Sequence, residues 1–570
     1  MDKRRKVILA ASILAGLLVV VLIIGTVYKY IAPSNKKRDL NTVFKLGKNE
    51  IALIADNKVL EQKGLMLDGQ VYVPSEVASG YMDERIYVDA AEKLLCYAAK
   101  DGLIQAPADS ASYTKGREKQ EAKNVILRKQ GKTWYVALSF IQEHASCYYK
   151  EFKNPGRLVI MSDRAAKYTF AVTAEDIRVR TGPNKKYDYL AEVPEGTRVF
   201  VRTDAKEENE YKPIMTLDGV SGYIPADSIE KTEEAAWKFE KTPESFKQVG
   251  MDKTVCLGWH QVTNAVSSGS LPAGVTQAKG MNVISPTWFA LSDNKGNFSS
   301  LGNTSYVTQA HAAGLQVWGL INDFHVSDSK KLDLQKILGR TSTRTKLVNA
   351  LVAAAIQYDL DGINIDFENV KKKNVAAYLQ FLRELVLKCH VNDLVVSVDN
   401  YTPANYNAYY NLQEQGRIVD YVILMAYDEH YNGSEESGSV SSLPFVKNGI
   451  KNTLAKVPKE RVVTGLPFFT RLWKEKKSGK GKPEPTAYSM SGAESILRAN
   501  DTEPKWDEAT GQYFAQYKAN GFIYKIWLEE ETSLKKKLEV VKKSDVAGVA
   551  FWKLGFERAI TWSTIEAALK

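Results

Sequence analysis

From residue 251 onward, apolar runs that read as strands alternate with segments of helical periodicity. No other feature of the 570 residues constrains the fold as strongly. The runs are 255–260, 283–291, 315–323, 362–368, 394–401, 421–428, 462–469 and 548–554. Eight such runs in about 320 residues predict one (β/α)8 TIM barrel with an insertion. The insertion falls between the last two runs, where 513–517 and 522–527 read as a hairpin turned by Asn520-Gly521. Chemistry in such a barrel sits at the carboxyl ends of the strands, so the residues closing each run are the informative ones.

The fourth run reads Asp361-Gly362-Ile363-Asn364-Ile365-Asp366-Phe367-Glu368. Side chains alternate along a strand, so Asn364, Asp366 and Glu368 share one face and Ile363, Ile365 and Phe367 the other. The apolar face fits a strand covered by helices. Two carboxylates on one rigid face repel, which keeps one of them protonated near neutral pH. The competing reading is a strand end whose acids cap the next helix, and spacing alone leaves both open.

This stretch resembles the D-x-x-D-x-D-x-E signature of family 18 glycoside hydrolases. Asp361, Asp366 and Glu368 match, and Asn364 stands where that pattern has Asp. The sixth run ends Met425-Ala426-Tyr427-Asp428, similar to the M-x-Y-D element of the same family. The eighth contains Gly548-Val549-Ala550-Phe551-Trp552, similar to the strand whose Trp floors the sugar subsite. Trp288 and Phe289, Asn322-Asp323, and Asp399-Asn400-Tyr401 stand in or at the ends of other runs. Met425 and Phe551 read most simply as core, and a lone Trp is more often packing than a sugar platform. Three motifs in strand order outweigh those simpler readings, and the resemblance covers the whole carboxyl-terminal 320 residues.

The resemblance implies substrate-assisted hydrolysis, an exception to the usual two-carboxylate scheme of glycosidases. The substrate's own 2-acetamido oxygen attacks the anomeric carbon, and retention follows through an oxazolinium intermediate with no metal and no cofactor. It implies catalytic roles for Glu368, Asp366 and Tyr427, and substrate binding by Asp428, Trp552, Met425 and Asn364. Glu368 protonates the leaving oxygen and later activates water, which requires a pKa raised toward neutrality. Asp366 supplies that push and orients the acetamido N–H. Tyr427 hydrogen-bonds the acetamido oxygen, Asp428 lines the same subsite, and Trp552 stacks under the sugar. Asn364 cannot trade a proton with Asp366, but its amide can donate a hydrogen bond that holds the Asp366 rotamer.

The G-x-N-I-D-F-E version resembles the branch of family 18 that contains spore-cortex and cell-wall N-acetylglucosaminidases. Peptidoglycan is therefore the expected substrate, with chitin second. A wall-binding, lectin-like barrel is the alternative of another class, and it predicts a mouth blocked around Glu368 and Trp552.

The amino terminus fixes the expected compartment. Residues 1–6 carry four basic side chains and 7–28 carry no charge, long enough to span a hydrocarbon core of about 30 Å. Lys3, Arg4, Arg5 and Lys6 then stay in the cytoplasm, and everything after about residue 30 lies outside. A cleaved signal peptide is the competing reading, but the run exceeds the usual signal core and no clear A-x-A site follows. The net charge of +10 comes from scattered lysines and clusters such as 474–482 and 535–537. With no arginine-rich arm and no nucleic-acid motif, it reads as solubility and attraction to an anionic surface. Cys96, Cys147, Cys256 and Cys389 lack metal-ligand spacing; a Cys96–Cys147 bridge is open, with unpaired thiols favoured.

A linker at 29–44 precedes residues 45–165, in which one order of short strands occurs twice. Asp68-Gly69, Val71-Tyr72-Val73-Pro74, a helix from Ser75 and two further strands are echoed by Gln130-Gly131, Trp134-Tyr135-Val136-Ala137, a helix from Ser139 and two more. The repeat predicts a duplicated β unit about its own small core. It resembles copper amine oxidase N-terminal-like modules, although no His cluster marks a metal site here. Residues 166–232 carry Val179-Arg180-Thr181-Gly182-Pro183 and Gly219-Val220-Ser221-Gly222-Tyr223-Ile224-Pro225, motifs similar to those of bacterial SH3-like barrels. A charged linker at 233–250 leads to the barrel at 251–570.

Overall fold

The structure is a computed structural model that describes residues 3–244, 246–324, 332–479 and 481–569. Met1 and Asp2 of the expected cytoplasmic tail, and Lys480 of the lysine cluster, lie outside the described residues. The chain divides into two compact units. One comprises Met1–Ile86, Ala106–Ser112 and Glu121–Pro243; the other comprises Tyr87–Gln105, Tyr113–Gln120 and Glu244–Lys570.

In the first unit, Lys3–Ile31 forms one continuous helix. Its stretch Lys3–Lys29 is long and apolar enough to cross a membrane, and none of its apolar window is buried in the protein. A seven-stranded sheet follows, in the order Tyr148–Phe152, Arg157–Met161, Glu50–Ala55, Lys58–Leu67, Gln70–Pro74, Thr133–Ala137, Leu127–Gln130. The two repeated strands meet within it, with Val73 opposite Val136 and Tyr72 opposite Ala137. A second seven-stranded sheet runs from Lys167 to Ala236 around Val179, Val199, Ile214 and Ile224. Gly222 of its motif is dictated by packing: a Cβ there would meet the Arg180 carbonyl oxygen at 2.4 Å. The last strand of this sheet, Glu233–Ala236, falls inside the stretch expected to be linker.

The expectation of a single small core for residues 45–165 needs correction. Ile86–Asp89 and Leu94–Ala99 join a separate five-stranded sheet, most of which belongs to the second unit. The reason is burial and charge pairing against barrel helices. Ala98 lies in the barrel's main hydrophobic cluster, and Asp89 accepts the backbone N–H of Thr341 at 2.6 Å. Arg344, fully buried, stands 5.0 Å from the Tyr87 ring and donates to Glu384 at 2.8 Å. All four cysteines are unpaired; Cys96, Cys256 and Cys389 are buried and Cys147 is partly so.

The barrel strands are β1 Val255–His260, β2 Val283–Pro286, β3 Gln316–Asn322, β4 Gly362–Asp366, β5 Val395–Tyr401, β6 Tyr421–Met425, β7 Val462–Pro467 and β8 Gly548–Trp552. Neighbours pair in parallel around the ring, and β2 with β3 and β8 with β1 complete the closure. Each strand is two-faced. Val255, Leu257, Trp259, Trp318, Leu320, Ile423, Val463 and Ala550 fill the interior. Alternating with the inward positions, Cys256, Val317, Ile363, Ile365, Val422, Val549 and Phe551 pack outward among the helices. The insertion between β7 and β8 is a five-stranded sheet that includes the expected hairpin, Gln512–Ala519 paired with Phe522–Leu528. Asn520 and Gly521 turn it with positive φ angles.

Candidate active site

Strand alternation decides which of the singled-out residues reach the cavity. On β4 the inward positions are Asn364 and Asp366; on β5 they are Ser397, Asp399 and Tyr401. Met425 closes β6, and Tyr427 and Asp428 follow it. A cavity of about 580 Å³ opens at the carboxyl ends of the strands. Asp366, Glu368, Met425, Tyr427, Asp428 and Trp552 all line it. Seven residues were given site roles from the sequence, and these six of them converge on one cavity.

Asn364 is the seventh, and it stands elsewhere. It is fully buried and absent from the cavity wall. Its carbonyl accepts from Trp259 Nε1 at 3.0 Å and Ser285 Oγ at 3.3 Å. Its amide nitrogen donates to Ser397 Oγ at 2.9 Å and Asp399 Oδ1 at 2.8 Å. The hydrogen bond expected from Asn364 to Asp366 is thus replaced by one to Asp399. Both amide hydrogens are spent across the barrel interior, below the cavity floor.

Asp361 also has a structural duty. It accepts the backbone N–H of Val317 at 2.7 Å and pairs with His311 Nε2 at 2.9 Å, tying the start of β4 to the start of β3. Glu368 lies two residues beyond the strand, in a loop held by residues with no motif of their own. Asp323 accepts the backbone N–H groups of Glu368 and Asn369, each at 3.0 Å. Tyr410 donates to the Glu368 carbonyl at 3.0 Å and Tyr409 to that of Val370 at 3.1 Å. Tyr401 donates its hydroxyl to Glu368 Oε2. Asp323, Asp399 and Tyr401 closed their runs in the sequence; only the fold shows what each one touches.

The acids share a strongly perturbed environment. Burial pushes Asp366 well above the usual carboxylate range, and the charges of Asp399, Glu368 and Asp323 add to that push. Glu368 is raised by burial, with Asp323 and Asp428 adding and the Tyr401 hydrogen bond opposing. Asp399 is raised chiefly by burial, against the hydrogen bond from Asn364. A raised carboxyl with a hydrogen-bonded, loop-fixed position suits a general acid that later acts as base. Tyr427 is half-buried, its ring edge-on to Phe469 at 6.2 Å. Arg471 donates to Asp428 Oδ1 at 2.7 Å and fixes that carboxylate at the wall. Trp552 and Trp259 stand in a T-shaped pair, ring centroids 6.1 Å apart, and both line the cavity. The mouth is open at Glu368 and Trp552, unlike the blocked mouth expected of a lectin-like barrel.

Comparison with known proteins agrees with this geometry. Residues 293–557 match the glycosyl hydrolases family 18 profile. The uncharacterized glycosylase YvbX of Bacillus subtilis (strain 168) is 24% identical over 300 residues, 51% of this chain and 85% of that protein. The cortical fragment-lytic enzyme of the same organism is 27% identical over 233 residues, 40% of this chain and 54% of that protein. Endochitinase 1 of Metarhizium robertsii (strain ARSEF 23 / ATCC MYA-3075) is 24% identical over 247 residues, 38% of this chain and 57% of that protein. The chain therefore spans only about half the length of the last two.

Proposed function

We propose that this chain, a glycoside hydrolase with a family 18 catalytic barrel, cleaves β-1,4 bonds next to N-acetylglucosamine in peptidoglycan. It does so with retention of anomeric configuration. The observation that carries this reading is the convergence of Glu368, Asp366, Tyr427 and Trp552 on one open cavity, with both acids held above their ordinary pKa.

Glu368, protonated, gives its proton to the glycosidic oxygen as the bond to the anomeric carbon breaks. The acetamido oxygen of the same sugar forms the new bond to that carbon, giving an oxazolinium ion. Asp366 accepts the acetamido N–H and places negative charge beside the developing cation. Tyr427 hydrogen-bonds the acetamido oxygen, Trp552 carries the ring, and Asp428 and Met425 complete the subsite. The Glu368 carboxylate then takes a proton from water, whose oxygen attacks the anomeric carbon and reopens the oxazolinium ring.

Peptidoglycan is favoured over chitin by the likeness to a cortical fragment-lytic enzyme, together with the apolar amino-terminal helix. We read that helix as a single-pass anchor, with residues beyond about 30 extracytoplasmic and the small β modules as spacer or wall-binding elements. Chitin is the second reading, supported by the endochitinase likeness. Mass spectrometry of products after incubation with purified peptidoglycan and with chitin oligomers tests both. Muropeptide fragments with reducing N-acetylglucosamine are expected, and release from chitin oligomers alone would reverse the order.

A further inference from the structure

Asp399 is a buried carboxylate to which the steps above give no role. It is 4% exposed on β5, beside β4. The pairing of these strands sets Asn364 against Ser397 and Ile365 against Val398. One residue further along stand Asp366 and Asp399, whose side chains leave neighbouring strands toward the same cavity. Neighbouring strands lie about 4.8 Å apart, so matched side chains on one face are close enough for the Asp399 charge to raise Asp366, as two carboxyls at one site do. The hydrogen bonds favour Asp366 as the partner that holds a proton. Asp399 Oδ1 accepts from the Asn364 amide at 2.8 Å, which favours a charged acceptor. Asp366 Oδ1 is buried and finds no hydrogen-bond partner among the described residues.

We propose that Asp366 and Asp399 form a proton-sharing pair in which Asp399 is the positioning residue. It keeps the proton on Asp366 in the free enzyme and takes it over when a substrate amide N–H arrives. In that exchange the O–H bond on Asp366 breaks and one forms on Asp399. The pair keeps a single negative charge, which moves to the carboxylate that faces the acetamido group. Asn364, fixed by Trp259, Ser285 and Ser397, stays bonded to Asp399 throughout and cannot take the proton itself. The other titratable groups facing the pair are Glu368 after β4, Asp323 after β3, Tyr401 on β5, Tyr427 and Asp428 after β6, and Tyr378 and Tyr410. Burial and the Asp399 charge both push Asp366 upward, as such a pair requires.

The idea rests on the glycan-cleaving reading of the cavity, and its test is independent of turnover. Infrared difference spectra of the full chain, in a Glu368→Gln background that removes the other acid, report protonated carboxyl groups through the acid C=O stretch. A band from protonated Asp366 is expected at neutral pH beside any from other raised carboxyls such as Glu529, and it is the part of the signal lost in Asp366→Asn. In Asp399→Asn that part should titrate away at lower pH, because one of the charges that raise Asp366 is gone. A signal unchanged in Asp366→Asn, or a titration unchanged in Asp399→Asn, overturns the pair. With Glu368 restored, Asp399→Asn should shift the pH profile of kcat/KM on a chromogenic aryl glycoside of di-N-acetylchitobiose, and an unchanged profile overturns its role. Absence of turnover by the unsubstituted enzyme counts against the substrate reading alone, since the infrared result stands apart from it.

Discussion

At the residue scale, three substitutions separate chemistry from architecture. Glu368→Gln should lower kcat by about 10²–10⁴-fold while leaving oligosaccharide binding nearly intact, measured by turnover and by calorimetric titration. Tyr401→Phe removes a hydrogen bond that favours the ionised form of Glu368. The Glu368 pKa then rises, the acid stays protonated to higher pH, and the alkaline limb of the kcat/KM profile should move upward. Asn364→Asp leaves at most one O–H, when protonated, where the amide gave two N–H donors, to Ser397 and Asp399, in a fully buried site. It should cost about 1–3 kcal/mol at neutral pH by urea unfolding, for a broken buried hydrogen bond. A new carboxyl kept protonated in the fold is raised above its unfolded value, so the loss should shrink as pH falls. The identities of Glu368, Asp366, Tyr427 and Trp552 were legible from motif and alternation. The partner of Asn364 was not, because an amide can satisfy its donors on either neighbouring strand and local sequence does not choose between them.

At the scale of elements, buried ion pairs hold pieces that are distant in sequence. Arg344 and Glu384 join the helices Thr341–Tyr358 and Val375–His390 beneath the strand bearing Tyr87. Gln380 also donates to Glu384 at 2.9 Å. Arg344→Met leaves the Glu384 charge buried without its ionic partner, at a cost of about 3–5 kcal/mol in denaturant unfolding. Adding Glu384→Gln should recover much of that loss. At the end of the insertion, Glu529 pairs with Lys537 of the following helix Glu531–Lys543, both fully buried, and Gln512 extends the chain of bonds to Ser439 in the segment after β6. Seven of the eight barrel strands were read within a few residues of their observed ends, since each is an apolar run with polar closure; the second run, 283–291, is two strands, Val283–Pro286 and Phe289–Leu291. The ribbon at Ile86–Asp89 and Leu94–Ala99 was misplaced, because its repeat pattern describes strands and not the surface they cover.

At the scale of the whole molecule, the proposed role of the amino-terminal helix as an anchor is the reading to test. Deleting residues 1–31 should move the protein from the membrane fraction to the soluble one with kcat/KM on a soluble substrate unchanged. Intact mass of the membrane-bound form should retain these residues; their loss would identify a cleaved signal. The sequence by itself determined the apolar helix, the order of eight strands and the set of acids and aromatics at the strand ends, since period and composition are local properties of the chain. Only the tertiary structure decided that Asp399 stands beside Asp366, that Asp323 and Tyr401 hold Glu368, and that Asn364 serves the interior. Those are contacts between neighbouring strands, and closure of the barrel, with its register, is what brings them within reach.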